Sequence, residues 1–113
     1  MKENKLNILW TNDNPITAEH MVMMYSKNAM LQRWWKDITV IIWGATAKLI
    51  AEDSNIQKLI KDAQKAGVEF VACLACASNL GTVDKLTDLG IDLKYMGVDL
   101  TNIIKEQQHL ITI

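Results

Sequence analysis

The run from Ile38 to Trp43, almost entirely β-branched and apolar, constrains the fold most strongly. Such a run is typical of a strand that is covered on both faces of a sheet. Two more strand-like runs, Lys5–Thr11 and Val68–Ala72, lie on either side of it along the chain, and helical segments separate the three. Because strands joined through helices pair in parallel by right-handed crossovers, we predict an α/β fold with a mainly parallel sheet and helices on both faces.

Turn and capping signals place the remaining elements. We expect helices over Ile16–Trp34, from Gly44 through Glu52, from a Ser54/Gln57 capping box to Gly67, from Thr82 to Gly90 and over Asp99–Gln108, and strands over Ile91–Met96 and Leu110–Ile113. The chain has 113 residues and no linker, repeat or low-complexity segment. We therefore expect one domain over residues 1–113.

The charge and the composition of the chain limit the kinds of partner and the cellular compartment that we expect. The net charge is −1, and no block of basic residues stands out, which argues against a nucleic-acid or acidic-membrane surface. No apolar run approaches the length of a membrane helix, and Leu6–Trp10 is too short for the core of a signal peptide. The two cysteines do not make a secreted disulfide framework, so we expect a cytoplasmic protein with no membrane partner.

Cys73 is the strongest candidate for chemistry. It follows a predicted strand and precedes a predicted helical turn. Free N–H groups at a helix start favour the thiolate, which is the reactive form of cysteine, and ligands bind at the carboxyl ends of strands in open α/β sheets. We expect Cys73 to be nearer the exposed strand end, and therefore more reactive, than Cys76. The alternative is a small buried hydrophobic residue with no chemical role.

Cys76 completes a Cys-x-x-Cys pattern, so a thiol–disulfide pair is a second hypothesis. The bland alternative is that Cys76 packs under the short helix. We expect no metal site, because His20 and His109 have no recognisable metal-ligand spacing. No glycine-rich phosphate cradle surrounds Gly44, which disfavours a nucleotide enzyme.

The predicted first helix carries more apolar surface than one sheet face requires. Its expected stripe is Ala18, Val22, Tyr25 and Ala29, and the additional apolar residues are Met21, Met23, Met24, Met30, Leu31, Trp34 and Trp35. Soluble monomers rarely expose a large apolar patch. The excess therefore indicates either burial against another subunit or an unusually bulky core.

Several short motifs, in matching order, resemble the DsrE/DsrF-like (DsrEFH-like) superfamily. They are Ile42-Trp43-Gly44-Ala45 before Lys48-Leu49-Ile50, Ala72-Cys73 with Gly81 eight residues after the cysteine, Leu86…Leu89-Gly90, and Tyr95-Met96-Gly97. The resemblance covers the chain from Leu6 to its end. It implies a three-layer α/β/α fold with a five-stranded, mainly parallel sheet, and homo-oligomers that are trimers or hexamers.

The resemblance also implies a function. Sulfur-relay members of this superfamily hold sulfur as a persulfide on the cysteine that Cys73 matches, and they use no metal or organic cofactor. A sulfur donor protein and an acceptor protein would then be partners. Those members have a more basic helix after the cysteine, where this chain has Ala77-Ser78-Asn79-Leu80. A non-enzymatic oligomeric binding module with structural cysteines remains the third hypothesis.

Other predicted strand ends should border the same pocket as Cys73 and Cys76, because parallel strands end at one edge of the sheet. The residues that follow these ends are Thr11, Asn12, Trp43, Gly44, Met96 and Gly97. We assign them to the pocket lining and not to catalysis.

Overall fold

The sheet has five strands in the order β4-β3-β2-β1-β5, and every neighbouring pair is parallel. The computed structural model describes residues 4–113. The strands are β1 (Lys5–Trp10), β2 (Asp37–Ile42), β3 (Glu69–Cys73), β4 (Asp92–Lys94) and β5 (His109–Thr112). The predicted five-stranded parallel α/β fold is therefore confirmed.

The central strand β2 explains why its run is so apolar. Its register places Ile38 beside Leu6 and Val40 beside both Ile8 and Phe70. Ile38 and Val40 have no exposed surface, because neighbouring strands lie on both sides and helices cover the sheet. Burial of an aliphatic side chain of this size stabilises the fold by about 1.5–3 kcal/mol.

Helices connect the strands. The first helix runs through three segments, α1 (Pro15–Thr17), a π-helical segment (Ala18–Met23) and α2 (Met24–Leu31). The others are α3 (Ala45–Glu52), α4 (Ser54–Lys65), α5 (Leu74–Asn79), α6 (Val83–Asp88) and α7 (Gly97–Lys105). Asn14 begins the first helix, since its side-chain oxygen accepts the N–H groups of Ile16 and Thr17.

Strand order gives the layers. The chain steps in one direction from β1 to β4, so right-handed crossovers put α1–α6 on one face, and the return step to β5 puts α7 on the other. The large core on the first face includes Trp10, Ile60 and Leu86. A smaller cluster of Ile41, Val71 and Met96 packs with Ile103 of α7. These two clusters, one on each side of the sheet, make the three-layer α/β/α arrangement.

Several predicted boundaries are corrected. The first helix ends at Leu31, not at Trp34, because Arg33 has a left-handed φ of 59° and the Trp34 N–H returns to the Ala29 carbonyl. The β4 strand is shorter than predicted, since Met96 is already the N-cap of α7.

The N-cap of α4 is also corrected. Asp53, not Ser54, caps this helix by accepting the Ile56 N–H at 3.0 Å. Gln57 does not complete a capping box, because its side-chain amide donates to the Ile50 carbonyl at 2.8 Å.

Within residues 4–113, no helix has both the length and the apolar character that crossing a membrane requires.

Candidate functional site

The two cysteines lie at the carboxyl edge of the sheet, where β3 ends. Cys73 is the last residue of β3 and the N-cap of α5, and its extended backbone (φ −66°, ψ 114°) turns the chain into that helix. Cys76 is the third residue of α5. Since β3 lies between β2 and β4, the turns that follow those two strands flank the cysteines.

The relative exposure of the two thiols is the reverse of the sequence expectation. Cys73 is buried, with 6% of its surface exposed, whereas Cys76 is half-buried; neither is in a disulfide. The expectation that Cys73 is the more accessible thiol is therefore wrong for this chain. Cys73 pairs with Lys94 of β4 at the end of an inner strand, while Cys76 lies on a short surface helix.

The two thiols interact with each other. Burial raises the pKa of Cys76, and hydrogen bonding with Cys73 and repulsion by its charge raise it further. The backbone N–H groups of Gly44 and of Cys76 itself act in the opposite direction, because they stabilise the thiolate. The Cys76 sulfur therefore interacts with the buried Cys73 thiol and with the backbone of Gly44, in the turn after β2.

Gly44 reaches this position through an unusual backbone. With a φ of 71° and a ψ of −130°, Gly44 has a backbone conformation that residues with a Cβ rarely adopt. No atom lies within 4 Å of where a Cβ would stand, so it is the backbone conformation and not crowding that requires glycine.

Thr46 holds the same turn, and sequence reasoning missed it. The residue is fully buried, and its hydroxyl donates to the Trp10 carbonyl at 3.0 Å while accepting the Trp43 N–H at 3.2 Å. It therefore joins the ends of β1 and β2 just before α3. A hydroxyl two residues after a strand-ending glycine was the available signal, since threonine side chains bond nearby backbone in turns.

The residues that follow β4 and β2 lie on either side of the end of β3. Met96 is buried at 3% exposure and packs with Ile41 and Val71, and Trp43 packs against the same small cluster. Gly97 is exposed and begins α7. They follow the two strands that pair with β3, and their assignment to a pocket around the cysteines remains a prediction.

Thr11 and Asn12 lie further from the cysteines. They follow β1, which is two strand positions from β3, or about 10 Å at the usual strand spacing. Their N–H groups donate to the Ile113 carbonyl at 2.6 and 3.1 Å, so they bind Ile113 to the end of β1. Their assignment to the cysteine pocket remains a prediction.

The segments around the cysteines carry no charge. Residues 43–47, 74–83 and 95–98 contain no Asp, Glu, Lys or Arg. Exposed apolar side chains lie within them, with Leu80 at 44%, Tyr95 at 74% and Val98 at 72% exposure. Charge lies directly beside these segments, since Lys94 is the register partner of Cys73 and forms an ion pair with Asp99 at 3.0 Å.

A separate groove of about 820 Å³ lies nearby. It follows the α7 face of the sheet between Lys5 and Met96, and neither cysteine lines it. We place the candidate site at the thiols because they supply nucleophiles, whereas volume alone supplies no chemistry. Within the described residues 4–113, no group of three or more His, Cys, Asp or Glu side chains is arranged to hold a metal ion.

Comparison with known proteins finds a matching family and proteins of similar structure. The sequence model of the DsrE/DsrF-like family matches residues 8–113. A conserved protein of unknown function from Bacteroides thetaiotaomicron, BT1422, has a similar structure with a TM-score of 0.95 and 40% identity, over 97% of this chain and 95% of that one. No curated protein matches the chain.

Two more distant structures share the fold. A protein of unknown function from Methanobacterium thermoautotrophicum, MTH1491, has a TM-score of 0.80 at 18% identity, over 98% of this chain and all of that one. The ychN protein of E. coli has a TM-score of 0.69 at 15% identity, over 96% and 99% of the two chains.

Proposed function

The chain belongs to the DsrE/DsrF-like family, and from that premise we propose that it is a sulfur carrier that holds sulfane sulfur as a persulfide on Cys73. The observation that carries the proposal is the pair of free thiols at the carboxyl edge of β3. A thiol at this edge follows the general placement of ligand sites in open α/β sheets.

The chemistry is thiol exchange with sulfane sulfur. A protein thiolate attacks the terminal sulfur of a donor persulfide, the donor thiolate leaves, and the sulfur stays bound to the protein as S–SH. An acceptor thiolate then attacks that terminal sulfur and regenerates the protein thiol. The exchange needs neither a metal ion nor an organic cofactor, and it consumes no oxidant.

Mass spectrometry tests this proposal. The reduced protein is incubated with glutathione persulfide, freed of excess donor and weighed intact. A carrier gains the mass of one sulfur atom, and fragmentation of the loaded wild type is expected to locate that sulfur on Cys73. A wild-type chain whose mass does not change would overturn the proposal.

A thiol–disulfide function is the second candidate, and the interaction between Cys73 and Cys76 favours it. The same spectrum distinguishes the two. A redox pair loses the mass of two hydrogen atoms on oxidation, and a reducing agent restores it.

We also propose that the chain assembles as a homo-oligomer, a trimer or hexamer. The first helix leaves apolar side chains exposed on its outer side, including Met24 at 48% and Leu31 at 57%, and Trp34 just after it is 60% exposed. A symmetric ring closes when one patch on a subunit meets a different patch on the next. Light scattering at micromolar concentration tests the assembly, and a monomer there would overturn it.

A further inference from the structure

The carrier function meets a physical difficulty at Cys73. A persulfide donor must bring its terminal sulfur in line with the attacking thiolate, which requires access to that thiol. Only 6% of Cys73 is exposed, since it pairs with Lys94 of β4 and α5 begins at the next residue. Cys76 is more exposed and lies on the outer helix.

The positions of the two thiols offer a route past this difficulty. An N-cap residue and the third helical residue are separated by one turn, which puts their Cα atoms about 5 Å apart. That separation falls within the range over which two cysteine sulfurs can form a covalent bond. The interaction of the Cys76 thiol with Cys73 agrees with this proximity.

We propose, resting on the function proposed above, that Cys76 takes the sulfane sulfur from the donor and passes it inward to Cys73. In the first step, the Cys76 thiolate attacks the terminal sulfur of the donor persulfide, and the donor thiolate leaves with the electron pair of the broken S–S bond. In the second step, the Cys73 thiolate attacks that same sulfur on Cys76. The Cys76 thiolate leaves and takes up a proton, so no electrons are gained or lost overall.

Two features of the site support this order. The Gly44 N–H partly offsets the burial and the neighbouring Cys73 that raise the pKa of Cys76, whose thiolate attacks in the first step and leaves in the second. Burial then slows the attack of solvent thiols on the sulfur held by Cys73.

A time course with site mapping tests the relay. Reduced wild type, Cys76→Ser, Cys73→Ser and the control Ser78→Ala are mixed with glutathione persulfide, quenched with iodoacetamide and fragmented to locate the added sulfur. Ser78 is a matched control because it is exposed on the same helix. In wild type, sulfur is expected on Cys76 first and on Cys73 later.

The variants separate the two roles. Cys73→Ser should retain sulfur on Cys76, and Cys76→Ser should load Cys73 about tenfold more slowly or worse, because the remaining thiol is buried. Two results would overturn the relay alone. One is loading of Cys73 at the wild-type rate in Cys76→Ser, and the other is added sulfur on Cys73 before Cys76 in wild type. A wild type that takes no sulfur overturns the carrier function and the relay together. The wild-type time course remains decisive if a variant fails to fold.

Discussion

Cys76 lies one helical turn after Cys73 and is the more exposed of the two thiols. We therefore expect iodoacetamide to modify Cys76 well before Cys73 in the folded protein, whereas both should react readily in urea. Mass mapping of the alkylated peptide measures the order. Faster modification of Cys73 in the native chain would contradict the packing described here.

The alkylation rate should also depend on pH in a defined way. Burial and the neighbouring Cys73 raise the pKa of Cys76, so more of it stays protonated at neutral pH than for a free thiol. Because the thiolate reacts, the rate should keep rising above pH of about 8.5, where a free cysteine is half ionised. In Cys73→Ala the profile should move to lower pH, since two causes of the shift are gone. A wild-type profile that levels off at or below that of free cysteine would refute the assigned environment.

Replacement of Gly44 by alanine should destabilise the protein. The φ of 71° with ψ of −130° is strained for any residue with a Cβ, and such strain costs about 1–3 kcal/mol. Gly97→Ala is the matched control, because Gly97 begins α7 without a positive φ and has no atom within 4 Å of a built Cβ. Urea unfolding compares the two, and equal free energies of unfolding would show that the Gly44 conformation is not required.

Thr46→Val should be costly although the side chain keeps its shape. The substitution removes the hydroxyl that bonds the Trp10 carbonyl and the Trp43 N–H in a fully buried position. The Trp43 N–H still donates to the Trp10 carbonyl at 3.1 Å, so the expected loss is that of a net hydrogen bond, about 0.5–1.5 kcal/mol. Thr101→Val is the control, since the Thr101 hydroxyl bonds the Gly97 carbonyl at an exposed site, and it should change stability by less than about 0.5 kcal/mol. Similar losses in both variants would argue against a special role for Thr46.

Met24→Glu should weaken the proposed oligomer. Met24 is 48% exposed on the first helix, and a carboxylate in an apolar interface would have to lose its hydration. Thr101→Glu adds the same charge on α7, across the sheet, and should leave the assembly intact. Sedimentation of the wild type and both variants checks this, and an unchanged oligomer in Met24→Glu would exclude the first helix from the interface.

The fold was largely predictable because its signals are local. The apolar run of β2 and the glycines after α4 and α6 mark elements without knowledge of tertiary contacts. The end of the first helix was not predictable, since Arg33 adopts a left-handed φ without being glycine. The identity of a residue also does not reveal which residues will pack against it in the folded protein.

That limit explains the error at the cysteines. The sequence places Cys73 at a strand end, which is correct, and an exposed thiol was the expected consequence. Burial of Cys73 depends on elements distant in sequence, among them β4, whose Lys94 pairs with it, and the interaction of Gly44 with Cys76 depends on a turn 32 residues away along the chain. Neither relationship has a periodic or compositional signal.

The most direct measurement is the site-resolved mass of the peptide that holds both cysteines, after the protein has been loaded with glutathione persulfide and separated from excess donor. The account predicts one additional sulfur atom, located on Cys73, and its quantitative loss on treatment with a reducing thiol. An unmodified peptide, or a peptide lighter by two hydrogen atoms with a Cys73–Cys76 disulfide and no added sulfur, would contradict it.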